Sequence, residues 1–178
     1  MEGFEELVLS LPKLPMGERI IFTEVGTDFF TQFEDSPIGE AAYDIKAVLD
    51  KKPGLYILDV TAEGWYATTC DRCLVPIQLP TTAQYRYYFQ EGGVKPEEGE
   101  EDVIVIEENA VVLDLRPMVF ETIVLSMPMV NVYDCSIGED PEAPCDKNVL
   151  SLLKEGEDRK IKKENPVWDV LKNIDFKD

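Results

Sequence analysis

Between Tyr43 and Glu63 apolar and polar side chains alternate along the chain. Tyr43, Ile45, Ala47 and Leu49 fall on one parity against Asp44 and Lys46, and Tyr56, Leu58, Val60 and Ala62 alternate with Asp59, Thr61 and Glu63. Successive strand side chains point to opposite faces, so this period of two predicts two half-buried antiparallel strands, the second running from Leu55 to Thr69. Asp50-Lys-Lys-Pro-Gly54 supplies the turn between them. A third strand is predicted from about Val75 to Phe89, with Tyr85, Tyr87 and Phe89 on one face and Pro76 and Pro80 confining its early part to an edge or a bend. Residues 40–90 therefore read as a three-stranded antiparallel meander. Upstream, Leu7–Leu11 and Ile20–Phe22 are β-leaning runs on either side of a Pro12–Gly17 turn, and Thr27 or Asp28 caps a short helix through Phe33.

Downstream, Val103-Ile-Val-Ile106 is a further strand within acidic surroundings. Asp114 stands at an N-cap position and Pro117 in a first turn. Leu115, Met118, Val119, Thr122, Ile123 and Leu125 then form a helical stripe over about 115–127 that stops before Pro128. Asp146 starts a short helix carrying Val149, Leu150, Leu152 and Leu153. Residues 154–165 are charged and linker-like, and Pro166-Val-Trp168 with Val170 and Leu171 forms an amphipathic turn expected to dock back. The pattern predicts an α+β fold: an antiparallel sheet, curled toward a barrel, with one main helix packed on it and short C-terminal helices. Residues 1–153 form the expected single domain and 154–178 its charged linker and docking segment.

Composition narrows the function. The chain has 178 residues, 36 acidic against 17 basic, no histidine and a formal charge of −19. Phosphate binding depends on Lys and Arg releasing counterions, so direct high-affinity binding to nucleic acid or to an anionic membrane is not expected, and a basic protein is the natural partner. Without histidine, no Ser-His-Asp, Cys-His or HExxH mechanism can operate. The N-terminus lacks a secretory pattern, and runs such as Leu55–Leu58 and Val103–Ile106 fall far short of the ~20 apolar residues that span a bilayer, so a cytoplasmic protein is expected.

The sharpest chemical feature is Cys70-Asp-Arg-Cys73 between two predicted strands. Two thiolates at this spacing can grip one tetrahedral Zn²⁺, with Cys135 and Cys145 as the remaining ligands, although nine residues separate that second pair. A redox site would put the first cysteine at a helix N-terminus, whereas β-leaning Leu74-Val-Pro-Ile77 follows here. The plainest alternative is that both thiols are small apolar fillers of a hairpin turn. Glu97, Glu98, Glu100, Glu101 and Asp102 lack the spacing of a calcium loop and read as a solvated acidic stretch able to dock a basic partner. The aromatic run Tyr85, Tyr87, Tyr88, Phe89 has only Arg86 beside it, so core packing outweighs nucleic-acid stacking. Glu121 is either a carboxylate at the edge of its helix face or a partly buried one paired with Arg72 or Arg116.

Taken in order, Cys70-Asp-Arg-Cys-Leu74, the acidic stretch with Val103–Ile106, Asp114-Leu115, Glu121-Thr-Ile-Val-Leu-Ser-Met-Pro128, Cys145-Asp146 and Asn165-Pro-Val-Trp168 resemble the YceD family. These are the bacterial and plastid large ribosomal RNA accumulation proteins, and the likeness is strongest to the Bacteroidetes branch, over roughly residues 5–172. The positions that carry it are Cys70, Arg72, Cys73, Leu74, Asp114, Glu121, Pro128 and Trp168. The resemblance implies a non-catalytic role in synthesis, processing or stability of 23S ribosomal RNA, through a basic large-subunit ribosomal protein or precursor particle. Alternatives from other classes are a metal-dependent or redox protein centred on the CxxC turn, and a structural zinc module with an unrelated binding role.

Overall fold

A computed structural model describes residues 4–92, 103–134 and 144–161. Its elements are β1 (Val8–Ser10), β2 (Gly17–Gly26), α1 (Thr27–Phe30), β3 (Ala41–Lys52), β4 (Leu55–Thr69), β5 (Pro76–Glu91), β6 (Val103–Ile106), β7 (Val112–Asp114), α2 (Arg116–Ser126) and α3 (Lys147–Ile161). Single 3₁₀ turns, Glu5–Leu7 and Leu11–Lys13, flank β1. The class is α+β, as the sequence predicts.

Five strands form one sheet in the order β2-β3-β4-β5-β6, and β1 pairs with β7 in a separate two-stranded sheet. Pairing of β2 with β3 and of β3 with β4 is antiparallel. The β4–β5 connection is a hairpin closed by the Cys70 N–H donating to the Val75 carbonyl at 2.9 Å. In contrast, β6 runs parallel to the end of β5, matching Tyr88 to Val103 and Glu91 to Ile106. The sheet ends at β2 and β6, so the described strands do not close into the expected barrel. Pro76 and Pro80 lie in the half of β5 that β6 does not reach, where their missing N–H costs no ladder bond on that side.

The two N-terminal β runs do not pair with each other. β1 instead joins β7, Leu9 opposite Leu113, and the Leu115 N–H bonds the Leu7 carbonyl at 2.8 Å. The charged stretch expected to be a linker continues α3 as far as Ile161. Asp146 caps that helix as anticipated, its carboxylate accepting from the Asn148 N–H at 2.8 Å.

The chain divides into two compact units, one of Met1–Thr68 with Ile77–Asn131 and the other of Thr69–Pro76 with Val132–Asp178. In the first, the alternating residues bury one sheet face as predicted, with Ile45, Ala47, Leu49, Leu58, Val60 and Ala62 at 2% exposure or less. Leu7, Phe29, Phe30, Leu115, Val119 and Ile123 share that core, and burying each such side chain contributes roughly 1.5–3 kcal/mol. Helix α2 is held to it by the Tyr87 hydroxyl, which lies 3.0 Å from both the Met118 carbonyl and Thr122 Oγ1. Phe33 and Phe120 stack at 4.0 Å. Tyr87 and Phe89 are therefore core residues, while Tyr85 is about half exposed.

Candidate functional site

The Cys70–Val75 turn is a tight knuckle. Besides the Cys70–Val75 bond, the Leu74 N–H donates to the Cys70 carbonyl at 2.8 Å, and Leu74 sits at φ 60°. That left-handed conformation costs an L-residue about 1–2 kcal/mol. Burial pushes the Cys70 thiol up, but backbone N–H groups of Tyr133, Cys73 and Arg72, together with the Cys73 side chain, outweigh it and lower it to about 7. Donors aimed at one sulfur favour the thiolate, the form that ligates metal or attacks a disulfide.

Both thiols are enclosed, Cys70 at 0% and Cys73 at 3% exposure, which denies an incoming substrate the access that redox exchange requires. Cys145 is half-buried and disulfide-bonded, and a sulfur in a disulfide cannot simultaneously serve as a thiolate ligand; Cys135 lies outside the described residues. Among the described residues no three Cys, Asp or Glu side chains converge as a metal site.

The second sequence-predicted cluster lies around α2. Asp114 and Arg116 form a multiply bonded pair, with Arg116 Nη2 2.6 Å from Asp114 Oδ2 and the Arg116 N–H 3.0 Å from Asp114 Oδ1. Asp114 thus caps the helix start although Leu115 bounds it. Burial raises the Asp114 carboxyl, but the Arg116 side-chain and backbone bonds overcome this and hold it below the usual carboxylate range. Glu121, Arg72 and Pro128 are exposed, and Leu74 is 75% exposed beside the knuckle. Glu121 is therefore a solvated face-edge carboxylate. Glu97, Glu98, Glu100, Glu101, Asp102 and Trp168 lie outside the described residues, as does the docking of residues 166–171.

Comparison with known families matches residues 58–175 to the large ribosomal RNA subunit accumulation protein YceD. The chain belongs to the YceD family. No curated protein and no solved structure matches it. The YceD match begins within β4 and takes in the knuckle, β5, β6, β7, α2 and α3, leaving β1, β2 and β3 outside. It is shorter at the N-terminus than the span from residue 5 expected from sequence. No helix among the described residues of this YceD chain is long and apolar enough to cross a membrane.

One surface was not legible in sequence. Strand register places Glu24 opposite Asp44 and Asp44 opposite Glu63, a row of three carboxylates across three adjacent strands. At the other end of the same face Glu18 stands opposite Asp50. Between these ends Ile20 and Phe22 are 53% and 68% exposed, with Val48 beside Ile20. Alternation in β2 marks its two faces, but only the register shows that the acids of three separate segments align.

Proposed function

We propose that this YceD protein is a non-catalytic, cytoplasmic ribosome-assembly factor that supports 23S ribosomal RNA by engaging a basic large-subunit protein or a precursor particle. Membership of a family described as large ribosomal RNA subunit accumulation protein carries this reading. A charge of −19 supports it, because such a field attracts basic proteins and repels bare RNA. Co-sedimentation tests it: the purified protein at low salt should travel with large-subunit precursor particles and be released as salt rises. Failure to co-sediment, together with failure to retain any purified large-subunit protein, would sink the reading. The acidic residues Glu97, Glu98, Glu100, Glu101 and Asp102 belong to the proposed contact surface by their charge.

A second, structural reading is favoured by the amides directed at Cys70. The knuckle supplies half of a zinc site, with Cys135 and Cys145 completing it once the Cys145 disulfide is reduced; bound Zn²⁺ would crosslink distant segments and perform no chemistry. Metal analysis of protein purified under reducing, chelator-free conditions should find one zinc per chain, lost in Cys70→Ser. A metal-free wild type would leave Cys70 and Cys73 as buried apolar fillers.

A further inference from the structure

We propose that the outward face of β2 and β3, completed by Glu63 of β4, is a docking surface for a lysine- and arginine-rich protein segment that carries apolar side chains between its charges. This rests on the basic-partner reading above but concerns a different surface, most of it outside the matched stretch 58–175.

The face is built for such an occupant in three respects. Its centre is open and presents apolar side chains, Phe22 at 68% and Ile20 at 53% exposure on an edge strand, beside Val48 and a single lysine, Lys46. Large apolar side chains standing together on a solvated sheet face mark interaction sites. Its ends are acidic: Glu24, Asp44 and Glu63 at one, and at the other Glu18 with Asp50, which already pairs with Lys52. With a strand rise of about 3.4 Å per residue, Glu18 and Glu24 lie roughly 20 Å apart along β2. A segment with two basic clusters separated by that distance and apolar residues between would meet both ends at once.

The third respect is the arrangement of charge. Like charges directly opposite on neighbouring strands destabilise a sheet, yet Asp44 has a carboxylate opposite it on both sides. Elsewhere on this face acids have cations of their own: Asp59 takes Arg86 at 2.6 Å and Asp50 takes Lys52 at 3.3 Å. Lys46, opposite Phe22, is the basic residue in the middle of the face. The Glu24–Asp44–Glu63 row lines a recess of about 430 Å³ with Trp65 and Gly64. Room and negative potential thus coincide, and a guanidinium or ammonium entering there would relieve repulsion present in the free protein.

The test uses the full chain and two probes. One is a fluorescein-labelled peptide with two Lys-Arg pairs flanking four leucine or valine residues; the other is purified large-subunit precursor particles. Wild type should bind the peptide in a salt-sensitive manner. Glu24→Gln/Asp44→Asn/Glu63→Gln should weaken binding about tenfold, the sum of three modest exposed ion pairs, and Phe22→Ser should weaken it independently. The triple variant should melt no lower than wild type, since it removes repulsion, so lost binding cannot be ascribed to unfolding. Peptide binding unaffected by either variant, or absent in wild type, overturns the proposal. So does self-association of wild type that Phe22→Ser abolishes, which would make a second copy the occupant. Precursor binding that persists unchanged in both variants also overturns this surface while leaving the assembly role intact. Peptide binding lost in the variants, with neither precursor particles nor any purified large-subunit protein retained by wild type, upholds the surface and removes the assembly role.

Discussion

Gly64→Ala tests the strand register on which both core and acidic row depend. Gly64 pairs with Tyr43 in the middle of the sheet. A Cβ placed on it would overlap the Ala42 carbonyl oxygen and stand 2.7 Å from both Cα and Cδ1 of Tyr43. Two of these three atoms are backbone in a strand paired on both edges, so no rotamer change removes the clash. Overpacking of this kind costs about 1–3 kcal/mol. Shifting Tyr43 also endangers its 2.8 Å hydrogen bond to Thr81, worth about 1 kcal/mol. The expected loss is about 3 kcal/mol, a large fraction of an ordinary stability of about 5–15 kcal/mol. With a urea dependence of about 2 kcal/mol/M, the unfolding midpoint should fall by about 1.5 M. Gly39→Ala is the control, because nothing lies within 4 Å of a Cβ there, and it should stay within about 0.5 kcal/mol of wild type. Equal midpoints for the two variants would refute the close approach of β3 and β4 at Gly64.

Three other expectations follow from individual side chains. Tyr87→Phe removes the hydroxyl bonded to Met118 and Thr122 and should cost about 1–2 kcal/mol in urea unfolding, with no change in the sheet's circular dichroism. Leu74→Gly relieves a left-handed φ at an exposed side chain; set against the greater unfolded-state entropy of glycine, it should gain about 0.5–1 kcal/mol, and a lower melting temperature would contradict the turn geometry. Asp114 is held below its unfolded value, so its contribution to stability is complete above about pH 4 and fades as pH falls through the folded value. Asp114→Asn should therefore flatten the acid limb of the stability profile, and an unchanged limb would show that the Arg116 pairing contributes nothing.

The parts of the fold written in local periodicity were legible. Alternation at Tyr43–Leu49 and Tyr56–Ala62 defines β3 and β4 because each side chain's face is fixed by its parity. The stripe of Leu115, Met118, Val119, Thr122 and Ile123 likewise gives α2, although Leu125, read into the same stripe, is 78% exposed. Partner choice is not local. Val103–Ile106 is apolar in either direction, so nothing in it announces parallel pairing with β5, and β1 finds β7 about a hundred residues away. Residues 154–161 read as linker because they are charged, yet Lys, Glu and Arg are good helix formers and α3 runs through them. At the site, CxxC spacing located the knuckle, but the left-handed Leu74 and the amide of Tyr133 that closes on Cys70 from sixty residues on required the fold. The acids Glu24, Asp44 and Glu63 were visible singly; their alignment belongs to the register.

The assembly role is tested most directly by the ratio of 23S to 16S ribosomal RNA after depletion of this protein in its own cells. The ratio should fall with accumulation of large-subunit precursors, and be restored by wild type and poorly restored by Glu24→Gln/Asp44→Asn/Glu63→Gln. An unchanged ratio and a normal subunit profile after full depletion would contradict the assembly role.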